Sequence, residues 1–266
     1  HYVDDEQDGL WSYFSKDGSV AEEITFSGGK RDGRSTVWLT SEEKQEEKFY
    51  KNGKLDGPST FWENGYRSTM TTYKSDSPEG PWVIWFSNSD QIQEQGFHQK
   101  GIREGLTTYY YEDGTMQREG FFKEGLPDGM WTYWNREGEK DFDFDFGSGL
   151  QHISLEDLVE RESTFYKLGE DTPFTGIITQ ENPEADYLFL GRTKGGKKDG
   201  QWVKWFPSGK DVPEIILVDV PDPEPVLPWS GGKQEQGGYK GGEKHGKWTE
   251  WYDNEHIKSH GTYNIG

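Results

Sequence analysis

One short pattern recurs along the chain and constrains its fold more than any other feature. It consists of a glycine, a tryptophan two residues later and a second aromatic residue five residues after the glycine. The complete pattern begins at Gly9, Gly80, Gly129, Gly200 and Gly246, and copies without the first tryptophan begin at Gly33, Gly57 and Gly105. From Gly9 to Gly129 the anchoring glycines follow one another at intervals of 23 to 25 residues. Such a period is typical of tandem-repeat proteins, in which each unit packs on its neighbours.

The large rings are concentrated at the two aromatic positions of this repeat. Of the 12 tryptophans, all but Trp229 lie there. The residues at these positions are Trp11, Phe14, Trp38, Trp62, Trp82, Trp85, Tyr110, Trp131, Trp134, Trp202, Trp205, Trp248 and Trp251. Hydrophobic residues make up 30% of the chain and aromatic residues 15%, so rings are predicted to supply the buried area. The two positions are predicted to lie on opposite faces of a strand, and the second position to carry stability.

Glycine marks the turns of each repeat. The chain has 35 glycines, and a second glycine usually stands four residues before the anchor, as Gly53 and Gly125 do. Glycine and asparagine tolerate the positive φ of tight turns. We therefore predict that each repeat is strand, turn, strand, turn. Repeated hairpins of this kind predict an all-β fold, an elongated antiparallel meander of tandem β-hairpins of about 24 residues each.

The repeats are predicted to form two arrays. Residues 1–150 form a regular first array, and residues 164–266 form a second array with a proline-rich insert at 211–233. Between them, residues 151–163 break the pattern. Ser154–Asp157 reads as a helix capping box, so we predict a short helix as the seam between the arrays.

Composition excludes several classes of function. The net charge of −20 disfavours nucleic acid and anionic membrane surfaces, both of which attract basic residues. The chain has no cysteine, so a disulfide or a thiolate nucleophile is impossible. It has no apolar stretch near 18 residues, so we expect no membrane insertion. Because the chain starts at His1 rather than at methionine, we expect a removed export signal and an extracytoplasmic location: periplasmic, cell-surface or secreted.

No catalytic constellation stands out, so we expect no enzymatic activity, no cofactor and no metal site. The one candidate for a hard cation is the alternating set Asp141, Asp143 and Asp145. Carboxylate oxygens suit such ions, but same-face residues of one strand lie roughly 6–7 Å apart. A solvated strand face is therefore the favoured interpretation.

Several segments resemble the variant form of the MORN repeat. They are Lys197–Phe206, which reads KKDGQWVKWF, together with Gly242–Tyr252 and Gly125–Trp134. Phe165-Tyr166 followed by Pro173–Gly176 resembles the opening repeat of bacterial members. The resemblance covers about 1–146 and 164–266, and it implies β-hairpin arrays that serve as interaction surfaces. Some bacterial members are labelled antitoxins.

We therefore predict a non-catalytic, protein-binding repeat scaffold in a bacterial envelope or extracellular assembly. One alternative is a carbohydrate- or cell-wall-binding module that uses exposed rings, and another is an antitoxin-like protein that binds a toxin. Open sheet edges invite pairing, so Tyr263 and Ile265 are predicted to face the partner. A basic or neutral partner fits the acidic chain.

Overall fold

The structure, a computed structural model, describes residues 2–40, 42–180, 188–205, 233–252 and 256–264. The predicted proline-rich insert lies outside these residues except for Lys233, and so do Trp229 and Ile265. The chain folds as two compact units, His1–Asp145 and Phe146–Gly266.

The first unit contains fifteen strands along the chain. They are β1 (Tyr2–Val3), β2 (Glu6–Gln7), β3 (Gly9–Phe14), β4 (Val20–Ser27), β5 (Lys30–Trp38), β6 (Lys44–Lys51), β7 (Lys54–Glu63), β8 (Tyr66–Lys74), β9 (Ser77–Trp85), β10 (Ile92–Gln99), β11 (Ile102–Arg103), β12 (Gly105–Tyr110), β13 (Met116–Lys123), β14 (Leu126–Trp134) and β15 (Lys140–Asp145). Strands β3 to β15 form one 13-stranded sheet whose order follows the chain, with the short β11 paired to β10 alone. The two-residue strands β1 and β2 pair with each other.

The hairpin turns link each repeat to the one before it. Asn52 and Gly53 have φ values of 51° and 82°, as a tight turn with two positive φ angles requires. The Gly53 amide donates to the Arg31 carbonyl oxygen at 2.7 Å, and the Asn52 amide donates to the Asp32 carboxylate at 2.9 Å. The amide of Gly125 makes the same bond to the Arg103 carbonyl at 3.1 Å. The glycine four residues before the anchor and the acidic residue directly before it therefore join successive repeats.

Among its described residues, the second unit contains nine strands. They are β16 (Gln151–Ser154), β17 (Leu158–Arg161), β18 (Thr164–Lys167), β19 (Gly176–Gln180), β20 (Leu188–Lys194), β21 (Lys197–Trp205), β22 (Lys233–Lys240), β23 (Glu243–Trp251) and β24 (Ile257–Tyr263). Seven of them form a sheet in the order β16-β19-β20-β21-β22-β23-β24, and β17 pairs with β18. The β16–β19 pair is parallel, and the other neighbours are antiparallel.

The predicted short helix is a single 3₁₀ turn of three residues, Leu155–Asp157, with strands on both sides. Ser154 makes no side-chain capping bond. Leu155 and Leu158 pack against a cluster of Phe165, Phe174, Ile178 and Trp202. The residues on either side of the turn form strands β16 and β17 and do not continue a helix. Residues 151–163 thus contribute β16 and β17 to the second unit.

The all-β prediction is confirmed by both units. Each sheet consists of consecutive antiparallel hairpins, apart from the one parallel pair at β16. The strands that carry the repeat pattern end in a register shift directly before the second aromatic residue, as between Val37 and Trp38 and between Tyr133 and Trp134. This irregularity allows the strand to end in a turn while the ring remains on the sheet.

Candidate binding surface

The two faces of the first sheet carry different side chains. Cross-strand partners share a face, and the register places Trp11, Trp82 and Trp131 on one of them, here called the tryptophan face. The chain of partners runs from Trp11 through Ile24 and Ser35 to Trp82. The tryptophan face of the second unit is defined in the same way by Trp202 and Trp248, which share Gly237 as a cross-strand partner.

Three first-position tryptophans lie over a glycine of the preceding strand. The ring–glycine pairs are Trp131 on Gly120, Trp202 on Gly191 and Trp248 on Gly237, and a Cβ added to any of these glycines would overlap the ring. The indole N–H then donates to the carbonyl oxygen of the next residue: Phe121 at 3.2 Å, Arg192 at 2.9 Å and Gly238 at 2.9 Å, respectively. In each case the glycine stands eleven residues before the tryptophan. That glycine is a sequence signal that the repeat analysis missed.

Trp82 has no such glycine on the preceding strand. Its partner on the preceding strand is Thr71, and the small residue lies instead on the following strand as Gly96. The indole N–H of Trp82 is buried and makes no hydrogen bond. The indole N–H reaches a backbone acceptor in the three tryptophans that lie over a glycine of the preceding strand, and not in Trp82.

The deepest burial lies at the first aromatic position and not at the second. Trp82, Trp131, Trp202 and Trp248 are 2–4% exposed. At the second position Trp85 is 8% exposed and Phe14 is 64% exposed, while Trp38, Trp62, Tyr110, Trp134 and Trp251 are half-buried, as is Trp11 at the first position. The expectation that the second position carries stability stays a prediction, because burial alone does not measure stability. No tryptophan whose side chain the structure describes is exposed.

Two of the second-position rings are covered by basic side chains of the same chain. Lys44 lies 5.4 Å above the ring of Trp62, and Arg67 lies 4.8 Å above the ring of Trp85. Lys44 lies on β6 and covers a ring of β7, and Arg67 lies on β8 and covers a ring of β9. A choline-like cation would have to displace these side chains, so the structure disfavours a cation-binding role for these two rings.

A polar cluster lies on the tryptophan face between Trp82 and Tyr109. Arg103 stacks on the Trp82 ring at 4.5 Å, donates to the Tyr109 hydroxyl at 3.1 Å and pairs with the buried Glu94 at 3.5 Å. His98 lies 5.6 Å from the Trp82 ring. Burial, and then the nearby Arg103 charge, lower the pKa of His98 to about 4. In the second unit, burial lowers the pKa of His152 to about 4 as its ring stacks on Phe146.

We expect the protein to lose stability as the pH falls from about 6.5 to about 4. In this window the unfolded chain protonates His98 and His152 while the folded chain does not, so acid favours unfolding. Thermal melting at a series of pH values measures the effect. His152→Gln should reduce the loss on acidification, and the same substitution at the exposed His260 should leave it unchanged. Equal pH profiles for the wild type and His152→Gln would contradict the assignment.

The opposite face of the first sheet carries an uncovered line of hydrophobic side chains. We call it the apolar row, and it consists of Pro81, Phe97, Leu106, Phe121 and Met130 on strands β9, β10, β12, β13 and β14. Phe97 is the cross-strand partner of Pro81, and Leu106 is the partner of Phe121. Phe97, Leu106, Phe121 and Met130 are 43–57% exposed. Single exposed apolar residues are ordinary, whereas large contiguous apolar patches are found at interaction sites.

A second set of side chains lies on the same face: two of its members, on β13 and β15, lie near the β14 end of the apolar row, and the other two lie on β4 and β6. We call it the acidic row: Glu23, Glu47, Glu119 and Asp143, at multiples of 24 residues in the sequence. Each acid pairs across strands with a threonine or a serine. The Thr108 hydroxyl donates to Glu119 at 3.1 Å, and the Thr132 hydroxyl donates to Asp143 at 2.8 Å. On strand β13, Glu119 lies two residues from Phe121 of the apolar row.

The candidate cation ligands Asp141, Asp143 and Asp145 are exposed, whereas the alternating Phe142 and Phe144 are buried. A hydrogen bond from Lys140 is the main cause that lowers the pKa of Asp143. Within the described ranges, no group of three or more acidic, histidine or cysteine side chains is arranged to hold a metal ion.

The predicted partner-facing end is represented by Tyr263 in strand β24. Its side chain is 46% exposed, its ring lies 6.3 Å from that of Trp248, and Lys244 lies 5.5 Å above it. Tyr263 thus packs beside Trp248 in the way that Tyr239 packs beside Trp202. Ile265, the other residue predicted to face the partner, is among the residues that the structure does not describe.

Comparison with known families identifies the repeat. The family of the MORN repeat variant matches three segments, 7–27, 103–124 and 244–264, which confirms the resemblance inferred from the sequence. The middle segment contains both Leu106 and Phe121 of the apolar row. No curated protein matches the chain. Among the described residues, no helix has the length and apolar character needed to cross a membrane.

Proposed function

We propose that this chain, which carries MORN-variant repeats, is a protein-binding scaffold that uses the apolar row of its first unit to hold a protein partner. MORN repeats are generally binding or scaffold repeats. The observation that carries the proposal is the difference between the two faces. The rings of the tryptophan face are buried or half-buried by the chain's own residues, whereas Leu106 and Phe121 form a cross-strand pair that remains open.

The burial of the tryptophan rings also bears on the alternative functions. A carbohydrate- or cell-wall-binding module would present exposed tryptophan rings for stacking, and the described tryptophans are buried or half-buried. An antitoxin-like role is one form of protein binding, with a toxin as the partner, and it would use the same surface. A place in a bacterial envelope or extracellular assembly is part of the proposal that rests on sequence expectations alone.

Site-specific photo-crosslinking tests the surface directly. A photoreactive phenylalanine analogue at position 121 is expected to capture a discrete protein in cells that naturally make the chain. The additional substitution Leu106→Ser should reduce capture at least about fivefold, because it removes the apolar neighbour of the probe. Mass spectrometry of the crosslinked band measures the yield and identifies the partner.

The matched control is the same photoreactive residue at position 10. Leu10 is 58% exposed on the same face, but its cross-strand partner is Thr25, so it lacks apolar neighbours. We expect little capture there. Equal capture at positions 10 and 121, or capture at neither, would refute the proposed surface.

A further inference from the structure

The apolar row runs across strands β9 to β14, and two members of the acidic row, Glu119 and Asp143, lie at its β14 end. Neighbouring strands lie about 4.8 Å apart, so the apolar row spans roughly 19 Å from Pro81 on β9 to Met130 on β14. Glu119 and Asp143 lie two strands apart, on β13 and β15, which corresponds to about 10 Å. On β13, Glu119 lies two residues from Phe121, or about 7 Å, and Asp143 lies one strand beyond Met130. The surface therefore presents an apolar line with two carboxylates, twice the strand spacing apart, at its β14 end.

An α-helix has matching periods. Residues three or four positions apart on one helix face are separated by about 5 Å along the axis, close to the strand spacing, and residues seven positions apart are separated by about 10.5 Å. A helix laid across the strands would place apolar side chains on the apolar row. Basic residues at seven-residue spacing would then meet Glu119 and Asp143. Roughly 13 residues of helix cover the row.

We infer that the partner segment is a basic amphipathic α-helix, about four turns long, that lies across strands β9 to β15. The inference rests on the proposed function and specifies the chemistry of the partner. Charge complementarity selects the helix: Glu119, Asp143 and the exposed Asp145 border this part of the face, and opposite charges on the partner guide both approach and register.

A second copy of the chain is a poorer occupant of this surface. Each copy carries a net charge of −20, and a face-to-face pair would bring one acidic row near the other. Like charges at an interface oppose association. The apolar row on its own would permit such a dimer, so the test must measure self-association as well.

The test uses designed 21-residue peptides as probes, since shorter helices are marginal in water. The first peptide has leucines on one helical face and lysines at seven-residue spacing beside them. The second carries glutamates in place of the lysines, and the third carries a central proline that breaks the helix. Fluorescence anisotropy with the whole protein measures binding, and sedimentation velocity measures self-association.

We expect the lysine peptide to bind and the glutamate peptide not to bind. Leu106→Ser with Phe121→Ser should weaken binding of the lysine peptide at least about tenfold. Glu119→Gln with Asp143→Asn should weaken it about three- to tenfold. The matched control, Glu23→Gln with Glu47→Gln, removes the same charge from the acidic row away from the apolar row and should change binding less than about twofold.

The outcomes separate this inference from the proposed function. Equal binding of the proline peptide would overturn the helix, and equal losses for the two pairs of acid substitutions would overturn the role of Glu119 and Asp143. Self-association that is abolished by Leu106→Ser with Phe121→Ser would identify a second copy as the occupant and overturn the inference. A partner captured at position 121 through an acidic or extended segment would leave the proposed function standing while refuting the helix.

Discussion

Trp131→Ala is expected to lower the free energy of unfolding by about 3–5 kcal/mol, the range for removing a large buried ring. Trp131 is 2% exposed, its ring packs edge-on against Phe122 at 5.3 Å, and its indole N–H bonds the Phe121 carbonyl. The substitution leaves a cavity over Gly120 and removes the indole hydrogen bond to strand β13. Urea denaturation followed by circular dichroism measures the loss.

Met130→Ala is the matched control for this prediction. Met130 precedes Trp131 in strand β14, lies on the opposite face and is 57% exposed. We expect its substitution to change stability by less than about 0.5 kcal/mol. Comparable losses for the two variants would show that the tryptophan face is not the stabilising face.

Gly237→Ala is expected to destabilise the second unit by about 2–4 kcal/mol, through overpacking and a lost hydrogen bond. Gly237 lies opposite both Trp202 and Trp248, and a Cβ there would overlap the Trp248 ring. Trp248 is 4% exposed, so the ring cannot move aside without breaking its bond to the Gly238 carbonyl.

Gly261→Ala tests the same change on the other side of the ring. Gly261 is the partner of Trp248 in strand β24, but nothing lies within 4 Å of the position its Cβ would take. We expect it to be neutral or to stabilise by up to about 1 kcal/mol, because alanine restricts the unfolded chain. If Gly237→Ala proved as harmless as Gly261→Ala, the close approach of ring and glycine would not be a constraint on the repeat.

The hairpin array could be predicted because its signals are local. The period of the anchor glycines and the turn residues such as Asn52-Gly53 depend on backbone conformation alone, and the structure has strands and turns where they indicate. The depth of burial at the two aromatic positions could not be predicted, since both positions are aromatic and a sheet has two faces. What distinguishes them is Gly120 or its equivalent on the neighbouring strand, a relation that appears only when the register is known.

The seam between the arrays and the apolar row also could not be predicted from local sequence signals. Ser154–Asp157 satisfies the local pattern of a helix start, but tertiary packing of Leu155 and Leu158 reduces it to one 3₁₀ turn. The apolar row could not be read from the sequence, because Leu106 and Phe121 look like core residues until the register places them on the open face. The 24-residue spacing from Glu23 to Glu47 and from Glu119 to Asp143 was visible in the sequence. The position of these acids relative to the apolar row appears only when the register is known.

The strand order of the first sheet follows the order of the chain, and this has a consequence for how such a protein changes in evolution. Duplicating or deleting one repeat adds or removes two neighbouring strands without a new crossover, and the links between successive turns are kept. Each such event lengthens or shortens the open face by about 10 Å. For the proposed helical partner, one added repeat therefore corresponds to roughly seven further residues of helix.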